Sequence, residues 1–298
     1  GNGSIDLFIP TVNSLTWNGT NANWDISTSY NWSDIAMSPA RYAEYGTTNI
    51  YGDIVTFNDS LSDPSRTNIN LTTTLRPTTI NLAASGTFYA FSGPGKISGA
   101  SYLNVSGSAP VTFSTANDYT GGSTLSAGTV LVGHNSALGS GPITLAGSVL
   151  SPYSTTPRAL TNAVSISVDS TFGVDATSGT LTLSGPIDFG GVPRGLSMQN
   201  SVSLTGPVSS GGITKSGNGT LTVDNADTVL AGATWVNAGK VTLNNGTFTG
   251  AFNIAPIINQ VGVVEIGNAN VTNTAANNVA SAASTVGVIK QSGGSFVE

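Results

Sequence analysis

The chain has 298 residues, 39% hydrophobic and only 8% charged, with a net charge of −6 and no cysteine. Four Lys and three Glu are too few to solvate long amphipathic helices, and the acidic balance excludes the basic footprint of a nucleic-acid binder or of a protein drawn to an anionic membrane. The missing thiols exclude disulfides, thiolate metal sites and a cysteine nucleophile. No apolar run reaches the roughly 18 residues of a spanning helix, so the chain is not expected to insert in a membrane.

The chain opens on GNGSIDLFIP without Met, as a mature product after leader removal would, or an excised piece. Residues 15–57 then hold all but one of the four Trp and many Tyr, in LTWNGTNANWDISTSYNW and RYAEYGTTNIYGDIVTF. Terminal units of a stacked fold are atypical, so this density predicts a cap over the first coil. The alternative is a ligand patch in which Trp17, Trp24 and Trp32 stack on sugar faces. Asp53, Asp59 and Asp63 follow closely and are candidate Ca²⁺ ligands. Their spacing fits neither an EF-hand nor the glycine-rich calcium nonapeptide, and turn capping is the competing reading.

From residue 87 the pattern is regular. TFYAFSGPGKISGASYLNVSGSAPVTF (87–113), AVSISV (163–168), GTLTLSGPIDF (179–189), SVSLTGPV (201–208), GTLTVDN (219–225) and KVTLNNGTFTGAFNI (240–254) alternate with period two. Each run is bounded by SG, GP, NG or GG pairs, the signature of short strands between turns. GPGKISG (93–99) lacks phosphate-loop spacing and reads as a turn. NNVASAAS (277–284) is the best candidate for a helix. The runs also recur. V-T-F-S-T-A at 111–116 aligns with L-T-V-D-N-A at 221–226, and A-G-T-V-L-V at 127–132 with A-G-K-V-T-L at 238–243. The offset of about 110 corresponds to about five coils of a β-solenoid with roughly 20–25 residues per coil. Ten to twelve coils rising about 4.8 Å each would give a rod of about 50–60 Å. Aliphatics would point inward, with Thr, Ser and Asn outward, and corner Asn residues would stack in ladders.

Residues 117–145, NDYTGGSTLSAGTVLVGHNSALGSGPITL, resemble the passenger-associated strand repeat of autotransporter-type proteins. Asn117, Tyr119, Thr120, Gly121 and Gly122 fit its opening. Ala127, Gly128, Thr129 and Val130 fit its strand, and Gly133, Ala137, Leu138, Gly139, Gly141, Ile143, Thr144 and Leu145 its exit. The repeat at about 111–145 has a second copy at 215–243 in which Val229, Leu230 and Ala231 replace the Tyr-Thr-Gly turn. The opening LTWNGT…GDIVTFNDS and the tail STVGVIKQSGGSFVE are similar to further passenger material. The resemblance implies an all-β fold, a right-handed parallel β-helix, displayed outside a Gram-negative-type cell. Residues 1–60 would be the aromatic-rich cap and first coils, and 61–298 the remaining coils of one continuous domain. The membrane barrel such proteins carry is not among these residues.

Catalytic constellations are few. His134, the single His, falls in the exit turn. Asp169 with Asp175, and Asp224 with Asp227, are the candidate carboxylate pairs for glycoside hydrolysis, against a structural role in corners. The nine basic residues, Lys215 among them, are scattered. Asn-x-Ser/Thr sequons, as at Asn18 and Asn70, occur at about the chance level. The expectation is a non-enzymatic surface stalk or adhesive module without a cofactor, Ca²⁺ being the one candidate ion. Its expected partners are glycans or cell-surface molecules, with self-association through the rod ends, no nucleic acid and no membrane. The alternatives are a self-assembling subunit of a surface layer, fibre or virion, and a polysaccharide-active enzyme.

Overall fold

The computed structural model describes residues 11–61, 63–254, 259–274, 278–280 and 284–297. The period-two runs are strands, and no helix occurs among the described residues. In Thr79–Leu82, for example, Ile80 and Leu82 are buried while Thr79 and Asn81 are half-exposed. The helix candidate at 277–284 lies largely outside the described residues, and its Asn278–Val279 is a strand.

Outside the antiparallel pairs of the N-terminal stretch, the strands pair in parallel with those of the neighbouring coils, so the chain is a β-solenoid. The same register position recurs after 25 residues from Val55 to Ile80 and after 18 from Val229 to Thr247. Three long sheets form its faces: a first of 15 strands beginning with Ser14–Trp17, a second of 12 beginning with Asn23–Trp24, and a third of seven from Arg158–Leu160 to Val286–Gln291. All but two strands of the first sheet, Trp32–Ser33 and Pro39–Ala40, run parallel. The twelve steps between the thirteen parallel strands, at about 4.8 Å each, make a rod of about 58 Å.

Matching registers place like residues in columns. Leu15, Val55, Ile80 and Leu103 follow one another inside the first sheet. Phe91 stacks on Phe113 in the second, with centroids 4.8 Å apart. One buried apolar cluster runs from Leu15 to Val271. The cross-section changes along the rod. Up to Arg158 the third side is made by turns and the short pair Thr74–Leu75 and Lys96–Ile97. From Arg158 on, it carries a strand in each coil.

The corner at 117–122 shows how the repeat turns. Asn117 is buried; its Oδ1 accepts the Ile97 amide at 2.9 Å, and its Nδ2 donates to the Ala137 carbonyl at 2.7 Å. One amide thus bonds the coil before and the coil after. Tyr119 fills the core, its hydroxyl 2.8 Å from Ser123 Oγ. Gly122 takes φ +92°, and a Cβ there would lie 2.8 Å from the Pro142 carbonyl, so only glycine fits. Asn162 serves the next corner, donating to Gly139 and Gly141 carbonyls at 3.2 and 2.7 Å. Asn117 and Asn162 therefore bond to backbone and do not stack on one another. Two Asn–Asn contacts lie on sheet faces, Asn70 to Asn23 at 2.8 Å and Asn104 to Asn81 at 3.3 Å, and a third lies in the cap, Asn31 to Asn21 at 2.8 Å. These side-chain amides are spent on the carbonyls of Ala137, Gly139 and Gly141 in the case of the two corners.

The aromatic stretch is a cap. Leu15 pairs with Val55, 40 residues on, and the extra chain folds over the first coil. Trp17, Trp24 and Trp32 are 1%, 0% and 1% exposed. Trp32 meets Trp17 at 5.0 Å and Trp24 at 5.3 Å, edge to face, the preferred geometry of ring quadrupoles. Fully buried Asp53 ties the cap's ends, accepting from Asn13 N (2.8 Å), Ala43 N (2.9 Å) and Tyr45 Oη (3.0 Å). Glu44 receives the Tyr42 hydroxyl and the Arg76 amide at 3.1 and 2.6 Å. The outermost described strand at this end is Pro39–Ala40, whose proline has no N–H to offer a further strand.

Candidate functional surface

Outward positions form columns as regular as the core. On the first sheet one column runs from Thr16 and Thr56 through Asn81, Asn104, Thr124 and Thr144 to Ser165, Asp188 and Ser209. On the third sheet another runs Thr182, Ser203, Thr222, Thr242 and ends on Glu265 and Lys290. Glu265 pairs with Lys240 and Lys290, which hold its carboxyl below the usual range. Up to Ser165 the first column, and up to Thr242 the second, offer uncharged hydroxyls and amides about every 4.8 Å; the charges come in with Asp188 on the one and with Glu265 and Lys290 on the other.

The sequence candidates divide as follows. The three Trp faces are covered by Phe57, Tyr42 and one another, so they do not stack on sugars; the ligand-patch alternative fails because the rings are the cap's own core. The Asp trio is not brought together. Asp53 holds the cap. Asp59 reaches the next coil, accepting the Ser85, Gly86 and Thr87 amides at 2.8, 3.0 and 2.8 Å. Those amides push its carboxyl down to about 2. Asp63 caps its own turn through the Ser65 amide and hydroxyl. Among the described residues no three His, Asp or Glu converge as cation ligands.

The carboxylate pairs are likewise dispersed among structural bonds. Asp169 accepts the Gly195 amide at 2.7 Å. Asp175 caps Thr177 and Ser178, whose amides and hydroxyls lower its pKa, the wrong direction for a general acid. Asp224 accepts from Asn244 and Asn245 at 3.2 and 2.6 Å, while the Asp227 amide donates to Asn225. His134 Nδ1 accepts the Ser136 amide within its turn. No described helix is long and apolar enough to cross a membrane.

Lys215 is the residue that composition alone did not single out. It lies in the inward column of the second sheet between Leu196 and Val236 and is fully buried. Its Nζ donates to the carbonyls of Ser216 (3.1 Å), Gly217 (2.6 Å) and Ala238 (2.9 Å). Gly239, at φ +70°, leaves the room; a Cβ there would sit 2.8 Å from Nζ. Burial pushes the ammonium pKa down to about 8. The signal was present in I-T-K-S, where the alternation puts position 215 inside.

The family model described as Passenger-associated-transport-repeat matches residues 103–132 and 213–243. No curated protein and no solved structure matches the chain. The two repeats on a stacked parallel solenoid support a passenger-type β-helix. The structure also refines the offset between them. Five steps along the second sheet lead from Val111–Phe113 to Ile213–Ser216. The strand aligned with Val111–Phe113 is the next one, Thr220–Val223, on the third sheet. Five coils alone do not relate the copies; the second is also turned by one face.

Proposed function

We propose that this chain, which carries the passenger-associated repeat twice on one solenoid, is the rod of a surface-displayed passenger and acts as a stalk or adhesive module. The repeat family implies a surface or extracellular location on a Gram-negative-type cell. The observation that carries the reading is the uncharged columns of hydroxyls and amides along a continuous rod. Many identical weak contacts add by avidity. A head-to-tail subunit needs two stackable ends, and the described capped end offers an antiparallel, proline-bearing strand. That favours the stalk over the self-assembling alternative. The candidate carboxylates serve turns and neighbouring coils, which favours a non-enzymatic role.

The test is display of residues 1–298 on a bacterial surface, with adhesion to glycan-coated and cell-coated wells, beside electron microscopy of the purified chain. Isolated rods and display-dependent adhesion are expected. Filaments, or polysaccharide cleavage abolished by one Asp substitution, would overturn the reading.

A further inference from the structure

The first sheet is not uniform along its length. Across four adjacent coils the column Thr144, Ser165, Asp188, Ser209 lies beside a second outward column two residues earlier. That second column is Pro142, Ala163, Pro186 and Pro207, set by the G-P-I and G-P-V turns. Two outward positions on one strand stand about 6.6 Å apart, and the coils repeat at about 4.8 Å. Ala163 is the smallest residue of its column, and Ser165 sits between the larger Thr144 and Asp188. The surface sinks there into a notch of about 190 Å³, with pyrrolidine rings on one side and hydroxyls and a carboxylate on the other.

We propose that this notch is a binding groove for a neutral, polyhydroxylated sugar chain laid along the rod axis. The proposal rests on the adhesive reading above and gives it a ligand class and a place. Pro142, Ala163 and Pro186 present C–H surface, which suits the apolar face of a pyranose. Thr144, Ser165 and Asp188 present oxygens toward its hydroxyl edge. Asp188 Oδ1 accepts the Gly190 amide at 2.9 Å, which orients an otherwise exposed carboxylate. Asp188 is the one charged residue of the groove, and no cation lines it. A uronate or sulfated sugar would face that carboxylate without a counter-charge, whereas neutral hydroxyls can donate to it. An added peptide strand is not the occupant, because the strands here are paired on both sides and offer no free edge. The groove is open, so single units bind weakly and length along the axis supplies affinity.

The experiment is calorimetric titration of the whole chain with cellohexaose, mannohexaose and maltohexaose, and with a heparin-derived hexasaccharide. At least one neutral hexasaccharide is expected to bind and the heparin fragment is not. Ser165→Trp and Ala163→Phe, which fill the notch, should weaken binding by about tenfold or more. Val174→Trp, in the exposed bend after the second-sheet strand Ser170–Phe172, should leave it unchanged, with circular dichroism confirming the fold of each. Binding by no neutral hexasaccharide, preference for the heparin fragment, or affinity indifferent to both filling variants overturns the groove. Display of the chain on cells separates the two readings. A wild-type chain that mediates adhesion yet binds no neutral hexasaccharide removes the groove and leaves the adhesive role standing. A wild-type chain that binds a hexasaccharide yet mediates no adhesion keeps the groove and removes the role.

Discussion

Replacing Lys215 by Met tests the ammonium buried in the apolar column. The wild-type Nζ satisfies three corner carbonyls with no carboxylate beside it. Burial lowers its pKa from 10.5 to about 8. Between these values the unfolded chain holds the proton and the folded chain has released it. Unfolding therefore takes up a proton in this window, and folded stability rises with pH through it. The rise is complete above the unfolded value and lost as pH falls through the folded one. At about 1.4 kcal/mol per pH unit the full window is worth about 3 kcal/mol, of which about 2 kcal/mol falls between pH 8 and 9.5. Denaturant unfolding of wild type and Lys215→Met at half-unit steps from pH 7 to 9.5 reads it directly. The difference between the two curves should grow in favour of the wild type by about that amount. Taking the difference cancels titrations common to both chains. Parallel curves across the window would refute the argument, since they would mean the buried amine keeps its ordinary pKa among the carbonyls.

Trp24→Ala in the cap should cost about 3–5 kcal/mol, read as an earlier denaturant midpoint and loss of near-ultraviolet dichroism; an unshifted midpoint would mean the cap does not fold with the rod. Asn117→Ala strips the Ile97 amide and Ala137 carbonyl of their partner and should cost about 3 kcal/mol, measured the same way. Alkaline titration followed at 295 nm should show delayed phenols. Burial raises Tyr42 and Tyr119 above the ordinary value and pushes Tyr45 and Tyr89 up to about 12. Their contribution is intact below pH 10 and lost as pH rises above it. A single step at pH 10 in the folded chain would contradict this.

Much of the fold was legible because period-two alternation bears directly on which face of a strand is buried. Ile80 and Leu82 needed only that rule. The fate of Asp53, Asp59 and Asp63 was not legible, since closeness in sequence says little in a coil whose bonds run to the next turn. Asp59 finds its partners at 85–87, more than twenty residues away. The corner asparagines were anticipated, but their bonding direction depended on which carbonyls the turn left free. Lys215 was visible to the alternation and missed because it was counted as one of a scattered set of charges. The Pro142–Ala163–Pro186 notch needs the register of three coils, which no local window contains.

The one-face offset between the two matched repeats makes the rod a screw as well as a ruler. The first copy spends its strands on the first and second sheets, the second on the second and third with the short Val229–Leu230 on the first. Duplicating such a segment would therefore lengthen the rod and also swing the next stretch of surface to a new azimuth around the axis. Chains differing only in repeat number would then present like chemistry at different compass bearings around the rod.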